Sequence, residues 1–278
     1  PIGYIASTEN YCRQHGLDAL ADYWKNDKCS IIHVIGKEIV YFHFLFWPAM
    51  LMALGFNLPD YEVVHGMLTV NKEKMSKSRG TFFTARDFLK KYPNPEYLRF
   101  YYAGLLSKKI ADIDLDLKNF ESRVNNELVA NLSNFCYRTM SFVNKNLDSK
   151  INSFNEKESI IDKINQKINK IKDAYADFDF KKALKEILAI SSLGNSYFQR
   201  HEPWNLVKKN KEDARQVLSL CINIAKNLAI VAQPILPEFS AQLQKQLNLS
   251  GLRWADLGFN LMKHKIGKAE ILVRKIGK

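Results

Sequence analysis

The sequence predicts a mixed fold: an incomplete parallel α/β half, then a basic loop on a small platform, then an all-α helical bundle. Three observations carry this. Two short β-rich apolar runs, Ser30–Ile35 (SIIHVI) and Tyr61–Val64, flank a long apolar stretch, Glu38–Leu54; strand, helix, strand at this spacing is a crossover unit, which requires parallel strands. From Phe120 onward, apolar residues recur every three or four positions over long segments, as amphipathic helices do. Between the two lies Asn71–Gly80, NKEKMSKSRG, with Lys72, Lys74, Lys77 and Arg79 inside ten positions.

The totals are compatible with this. A chain of 278 residues, 46% hydrophobic, has room for about two cores. Its net charge of +12 favours a polyanionic partner, nucleotide or nucleic acid. Cys12, Cys29, Cys136 and Cys221 form no Cys-x-x-Cys pair, so neither a zinc knuckle nor a disulfide framework is expected, and a reducing cytoplasm fits. Tyr41–Phe56, the longest apolar run, is broken by His43, Pro48 and Gly55 and is too short to span a membrane. No signal peptide is visible, and a chain opening on Pro1 reads as processed or cut.

Taken in order, Gly36-Lys37-Glu38 is the turn after the first strand, and Glu38–Leu54 reads as a buried helix closed by Gly55. Parallel sheets bind ligands beyond the carboxyl ends of their strands, which puts Gly36–Glu38 and His65-Gly66 at the ligand edge. His43 and Trp47, four apart, share a helix face; spacing alone fits a core as well as a pocket. The Asn71–Gly80 loop is either a solvated basic loop or a cradle offering ammonium and hydroxyl donors to a polyphosphate. Ala85–Tyr92 and Pro95–Leu106 are helices, the second with core aromatics Tyr97, Phe100, Tyr101 and Tyr102. Asp112, Asp114 and Asp116 alternate with apolar residues; with no glycine-centred loop or closing glutamate, they read as a strand edge running into a helix N-cap at Asp116, not as a calcium site.

Phe120, Val124, Leu128, Leu132, Phe135, Thr139 and Phe142 predict one long amphipathic helix, with Asn134 and Arg138 off its apolar arc as ordinary surface or as readers of base edges. Ile160–Ala176 and Phe180–Phe198 are two more helices. Pro203 then suits a helix N1 position, leaving Trp204 as anchored core or exposed platform. Val217–Ala232 is apolar nearly all round and should be the central helix; Pro234 and Pro237 end it, and Glu238–Leu247 follows. Leu261–Lys278 is a basic tail that either touches RNA phosphates or packs back on the body. The expected parts are residues 1–68, 69–128, 129–250 and 251–278.

The string Lys74-Met75-Ser76-Lys77-Ser78, with its flanks His65-Gly66, Thr69-Val70-Asn71 and Arg79-Gly80-Thr81-Phe82, resembles the second signature of class I aminoacyl-tRNA synthetases, and of the methionyl-tRNA synthetases in particular. Pro1-Ile2-Gly3-Tyr4, IGKEIVYFHFLFW and Glu202-Pro203-Trp204 resemble further motifs of that family. The resemblance implies a Rossmann-like half-domain, the KMSKS segment and a helical anticodon-binding domain, acting with ATP and Mg2+, methionine and tRNA(Met). It implies ATP contacts from Gly36, Glu38, His65, Lys74, Met75, Ser76, Lys77 and Ser78, with Lys74 and Lys77 catalytic. Pro1, Tyr4, Ile39, His43 and Trp47 would surround methionine, and Asn134, Arg138 and Trp204 the anticodon. The family usually has aspartate where Glu38 stands.

The family's other signature, of the His-Ile-Gly-His type, is missing, as are its zinc-bearing insertion and first strand–helix units. A two-strand remnant would leave an apolar sheet face and edge open, so a complementary piece is expected, either a second subunit or a segment cut away. Two functions compete: part of a split methionine–tRNA ligase that is inactive alone, or a non-catalytic tRNA-binding module. The intact loop and the PIGY segment favour the first, because a pure binder needs neither.

Overall fold

The structure is a computed structural model describing residues 1–74 and 84–277. It divides into two compact units, residues 1–69 with 109–114, and residues 70–108 with 115–277.

In the first unit, α1 (Gly3–His15) precedes a π-type turn at Leu20–Trp24 and strand β1 (Ile32–Gly36). A helical run follows: one tight turn (Lys37–Ile39), a wide π-type turn (Phe42–Phe46) and α2 (Trp47–Leu54). Gly55 ends it at φ +64°, a left-handed cap that glycine adopts without a Cβ penalty. Strand β2 (Tyr61–His65) lies parallel to β1 in the register Ile32↔Tyr61 to Gly36↔His65, as the crossover predicts.

The expectation that Glu38–Leu54 is buried needs correction. Only His43, Trp47 and Leu51 are buried there; Tyr41, Phe42, Phe44, Leu45, Phe46 and Met52 are exposed, as are Ile32 and Val34 on one face of β1. The reason is geometric: among the described residues the sheet holding β1 has two strands, so a single layer covers one helix face and leaves the other open. The unit's core is correspondingly small, built on Trp24, Trp47 and Leu51.

Strands β3 (Leu68–Val70) and β4 (Glu73–Lys74) are joined by Asn71 and Lys72 at φ +49° and +66°, the conformation of a two-residue type I′ hairpin. With β5 (Ile113–Leu115) they form a sheet of order β4-β3-β5. The aspartates behave as the strand-and-cap reading requires. Asp112 accepts from Lys37 Nζ (2.6 Å) and the Met67 amide (2.8 Å), Asp114 from the Thr69 hydroxyl (2.6 Å), and Asp116 caps α5 through the Asn119 amide (3.0 Å).

The second unit holds α3 (Ala85–Lys91), α4 (Glu96–Ala103) and a continuous helical run from Leu117 to Asn146. That run is α5 (Leu117–Arg123), a π-type stretch (Val124–Ser133) and α6 (Asn134–Asn146). Then come α7 (Ser159–Ala176), α8 (Phe180–His201), α9 (Pro203–Lys209), α10 (Lys211–Val231) and α11 (Pro237–Gln246). Every residue of α10 from Val217 to Val231 is buried, so it is the central helix the apolar run predicts. Buried Glu96 of α4 accepts the amides of Glu238 (2.5 Å) and Phe239 (2.9 Å), satisfying two free N–H groups at the start of α11.

The segment after α11 packs on this unit, burying Ile266, Leu272 and Val273 in its core. Asn223 and Asn227 of α10 each pair with one backbone residue of that segment, donating to its carbonyl and accepting from its amide: Leu261 and Gly258 respectively, at 2.8–3.0 Å. Asn125 holds Ile276 in the same way, and Asn144 spans the Gly267 carbonyl and Ala269 amide.

Candidate functional site

The first candidate site lies in the first unit. Ring geometry and hydrogen bonds bring three side chains together with one backbone carbonyl. The Tyr4 hydroxyl lies 2.9 Å from His43 Nε2, and His43 Nδ1 lies 3.0 Å from the Ile39 carbonyl. A carbonyl only accepts, so Nδ1 carries the proton; in the neutral ring Nε2 then accepts from Tyr4. The Tyr4 ring meets Trp47 edge-on at 6.0 Å between centroids. Pro1 sits one turn before Tyr4, its carbonyl accepting the Tyr4 amide at 2.8 Å. Of the residues expected around an amino-acid side chain, Tyr4, Ile39, His43 and Trp47 are thus linked directly, and Pro1 adjoins through Tyr4.

Sequence reasoning missed His33. Its Nε2 accepts the Trp47 indole N–H at 3.0 Å, and its ring stacks on Tyr4 at 5.0 Å. The signal was present: in SIIHVI, His33 and Ile35 alternate onto one strand face, and both are buried. Trp24, edge-on to Trp47 at 5.8 Å, was also missed.

At the carboxyl edge of the two strands, Gly36 and His65 are direct ladder partners. The Glu38 carboxylate folds over Gly36, 2.6 Å from where a Cβ would stand, so a larger residue there would make the Glu38 side chain swing aside. His65 Nδ1 donates to the Gly66 carbonyl at 3.0 Å. Gly66 itself packs against backbone: a Cβ there would lie 2.1 Å from the Ala111 carbonyl oxygen. The backbone of Lys74 closes β4; its side chain and Met75, Ser76, Lys77 and Ser78 lie outside the described residues.

The second candidate site is in the helical unit. The Arg138 guanidinium lies 4.3 Å from the Phe198 ring centroid and 5.9 Å from that of Trp204, and it donates to Gln199 Oε1 at 2.9 Å. Burial draws its pKa down. Asn134 is exposed one turn earlier on the same helix. Trp204 is half-buried in the first turn of α9, behind Pro203 and a left-handed Glu202 at φ +43°. The structure thus brings Arg138 and Trp204 together, a cation and an aromatic that can both stack on a base. Among the described residues no cluster of three or more His, Cys, Asp or Glu can hold a metal ion, and no helix is long and apolar enough to cross a membrane.

Comparison with known proteins covers nearly the whole chain. The family described as "tRNA synthetases class I (M)" matches residues 1–140, and "Anticodon binding domain of methionyl tRNA ligase" matches residues 150–276. A methionine–tRNA ligase of Vesicomyosocius okutanii is 38% identical across 99% of this chain and 51% of its own length; one from Neisseria meningitidis serogroup A is 39% identical across 99% and 40%. The chain therefore spans about half the length of the curated relatives it matches. Among solved structures, Mycobacterium tuberculosis methionyl-tRNA synthetase bound by methionyl-adenylate superposes with a TM-score of 0.76 at 25% identity, covering 86% of this chain and 49% of that one. The apo form of that enzyme gives 0.76 at 20% identity, covering 89% and 50%. With a parallel crossover unit, a helical anticodon-binding region and these matches along nearly its whole length, the chain belongs to the methionyl family of class I tRNA synthetases.

Proposed function

We propose that this chain is the carboxyl-terminal part of a methionine–tRNA ligase, and that it contributes part of the methionine pocket, the KMSKS loop and the anticodon-binding bundle. The observation that supports it most is the assembly of the Tyr4, His43 and Trp47 side chains, with the Ile39 carbonyl, into one aromatic-walled group. A polarisable thioether is well matched to such walls. The reaction would begin with a methionine carboxylate oxygen attacking the ATP α-phosphorus, breaking its bond to the bridging oxygen and releasing pyrophosphate. A ribose hydroxyl at the tRNA 3′ end would then attack the carbonyl and release AMP.

In this reading Gly36, Glu38 and His65 face the nucleotide at the strand ends, and Mg2+ accompanies the ATP phosphates; no zinc is assigned to this chain. Lys74 and Lys77, with Met75, Ser76 and Ser78, stabilise charge growing on the leaving pyrophosphate. Such help acts mainly in the transition state, so Lys77→Ala lowers the activation rate more than it weakens ATP binding; equal losses in both count against the assignment. Asn134, Arg138 and Trp204 contact the anticodon of tRNA(Met), and the work is cytoplasmic.

The exposed face of β1 and of the following helix, Val34, Tyr41 and Met52 among it, is where the amino-terminal half bearing the histidine signature packs. ATP–pyrophosphate exchange with methionine tests the whole reading, run on this chain alone and with a candidate amino-terminal half. We expect exchange only in the combination. Exchange by this chain alone refutes the need for a partner, and tRNA binding without exchange in any combination favours the non-catalytic module.

A further inference from the structure

We propose that His33 is a positioning residue of the amino-acid pocket, fixing the Trp47 indole and the Tyr4 ring so that the Tyr4 hydroxyl stays aimed at His43. The inference rests on reading that group as the methionine pocket. His33 touches both walls at once: its Nε2 accepts the Trp47 N–H at 3.0 Å, and its ring stacks on Tyr4 at 5.0 Å with 29° between planes. It also meets the His43 ring edge-on at 5.5 Å. Trp47 is fully buried and His33 is 8% exposed, so no water replaces this bond.

The lock needs a neutral ring. A protonated imidazole has two donors and no acceptor, so protonating His33 would turn Nε2 against the indole N–H. The groups that face it are Tyr4 from α1, His43 and Trp47 from the following helix, and Glu62 from β2, its direct ladder partner. Burial and then proximity to His43 hold the His33 pKa below the ordinary histidine value, while burial raises that of Glu62. Both shifts favour uncharged forms, and the Glu62 carboxyl oxygens are buried with no hydrogen-bond partner among the described residues. The sign follows: the lock is complete above the ordinary histidine pKa of about 6.5 and is lost as pH falls through the lowered one.

The test is nitrogen-15 NMR of the Trp47 indole in this chain, assigned with Trp47→Phe. In the wild type the resonance titrates with a midpoint below about pH 6.5. In His33→Gln, whose amide oxygen can take the place of Nε2, the indole proton stays slow to exchange and the titration disappears. In His33→Phe the ring stack survives but the acceptor is gone, and the proton exchanges at least about tenfold faster. The indoles of Trp24, Trp204 and Trp254 report that each variant is folded. In the assembled ligase His33→Phe raises the methionine KM about five- to tenfold and leaves the ATP KM unchanged, and His33→Gln restores it. An indole signal indifferent to both substitutions overturns the lock. An indole that responds, with equal rises in both KM values, overturns the pocket-positioning role. A lock that behaves as stated in an assembly without methionine-dependent exchange instead refutes the methionine reading.

Discussion

At the scale of single residues, close approaches constrain side-chain choice most strongly. Gly66 packs on the backbone of Ala111 and Asp112, which cannot swing aside as a side chain would. Gly66→Ala therefore shifts a strand end beside His65 and destabilises the first unit by about 1–3 kcal/mol, read from urea unfolding of variant and wild type; a difference under about 0.5 kcal/mol contradicts the contact. Arg138 makes a comparable point for planar chemistry. Its guanidinium uses face and edge together, over Phe198 and toward Gln199. Arg138→Lys keeps the charge but loses the plane, so on the proposed anticodon reading tRNA(Met) affinity falls about five- to tenfold in a filter-binding titration; unchanged affinity would mean that only charge matters there.

At the scale of elements, the asparagine pairs decide how the segment after α11 is held. Asn223 meets both polar groups of one Leu261 peptide position from inside the buried stretch Val217–Val231 of α10. Asn223→Leu strands that carbonyl and amide, and we expect a loss of about 2–4 kcal/mol together with new proteolytic cleavage between 256 and 277. An uncut tail in that variant would show that its apolar anchors suffice. Much at this scale was legible in the sequence, and the exceptions have physical causes. The apolar run Val217–Ala232 announced a central helix, but Asn223, Lys226 and Asn227 within it gave no hint that they reach, mostly to backbone groups, into the segment after α11. The stripe Phe120, Val124, Leu128, Leu132 announced a helix but not its wide turns. Steps of four drift about 40° each on an ordinary helix, and the π-type stretch at Val124–Ser133 offsets that drift, keeping all four buried. α1 escaped notice because it buries only Cys12 and has no side-chain cap, so periodicity and capping were both silent. His33 escaped because a histidine in a strand is indistinguishable from core until its ring contacts are known.

At the scale of the whole molecule, the two units are unequal. The second has one continuous core from Val70 to Val273, while the first rests on Trp24, Trp47 and Leu51 under a largely open apolar layer. Stability follows buried apolar area, so urea should unfold the first unit at lower concentration. Trp24 and Trp47 report one transition and Trp204 and Trp254 the other, and single-tryptophan variants separate them; coincident midpoints would refute independent units. The fastened tail has a consequence for how the protein is made. Synthesis is vectorial, so α10 leaves the ribosome before residues 256–276 exist outside it. Until they arrive, Asn223 and Asn227 keep only their bonds to the Ser219 and Asn223 carbonyls within α10, and their side-chain oxygens and the Lys226 ammonium have only water or a chaperone to satisfy them. The bundle's last polar bonds thus close only after the tail emerges, and a ribosome stalled before residue 256 would display an unsealed helix to the cell's quality control.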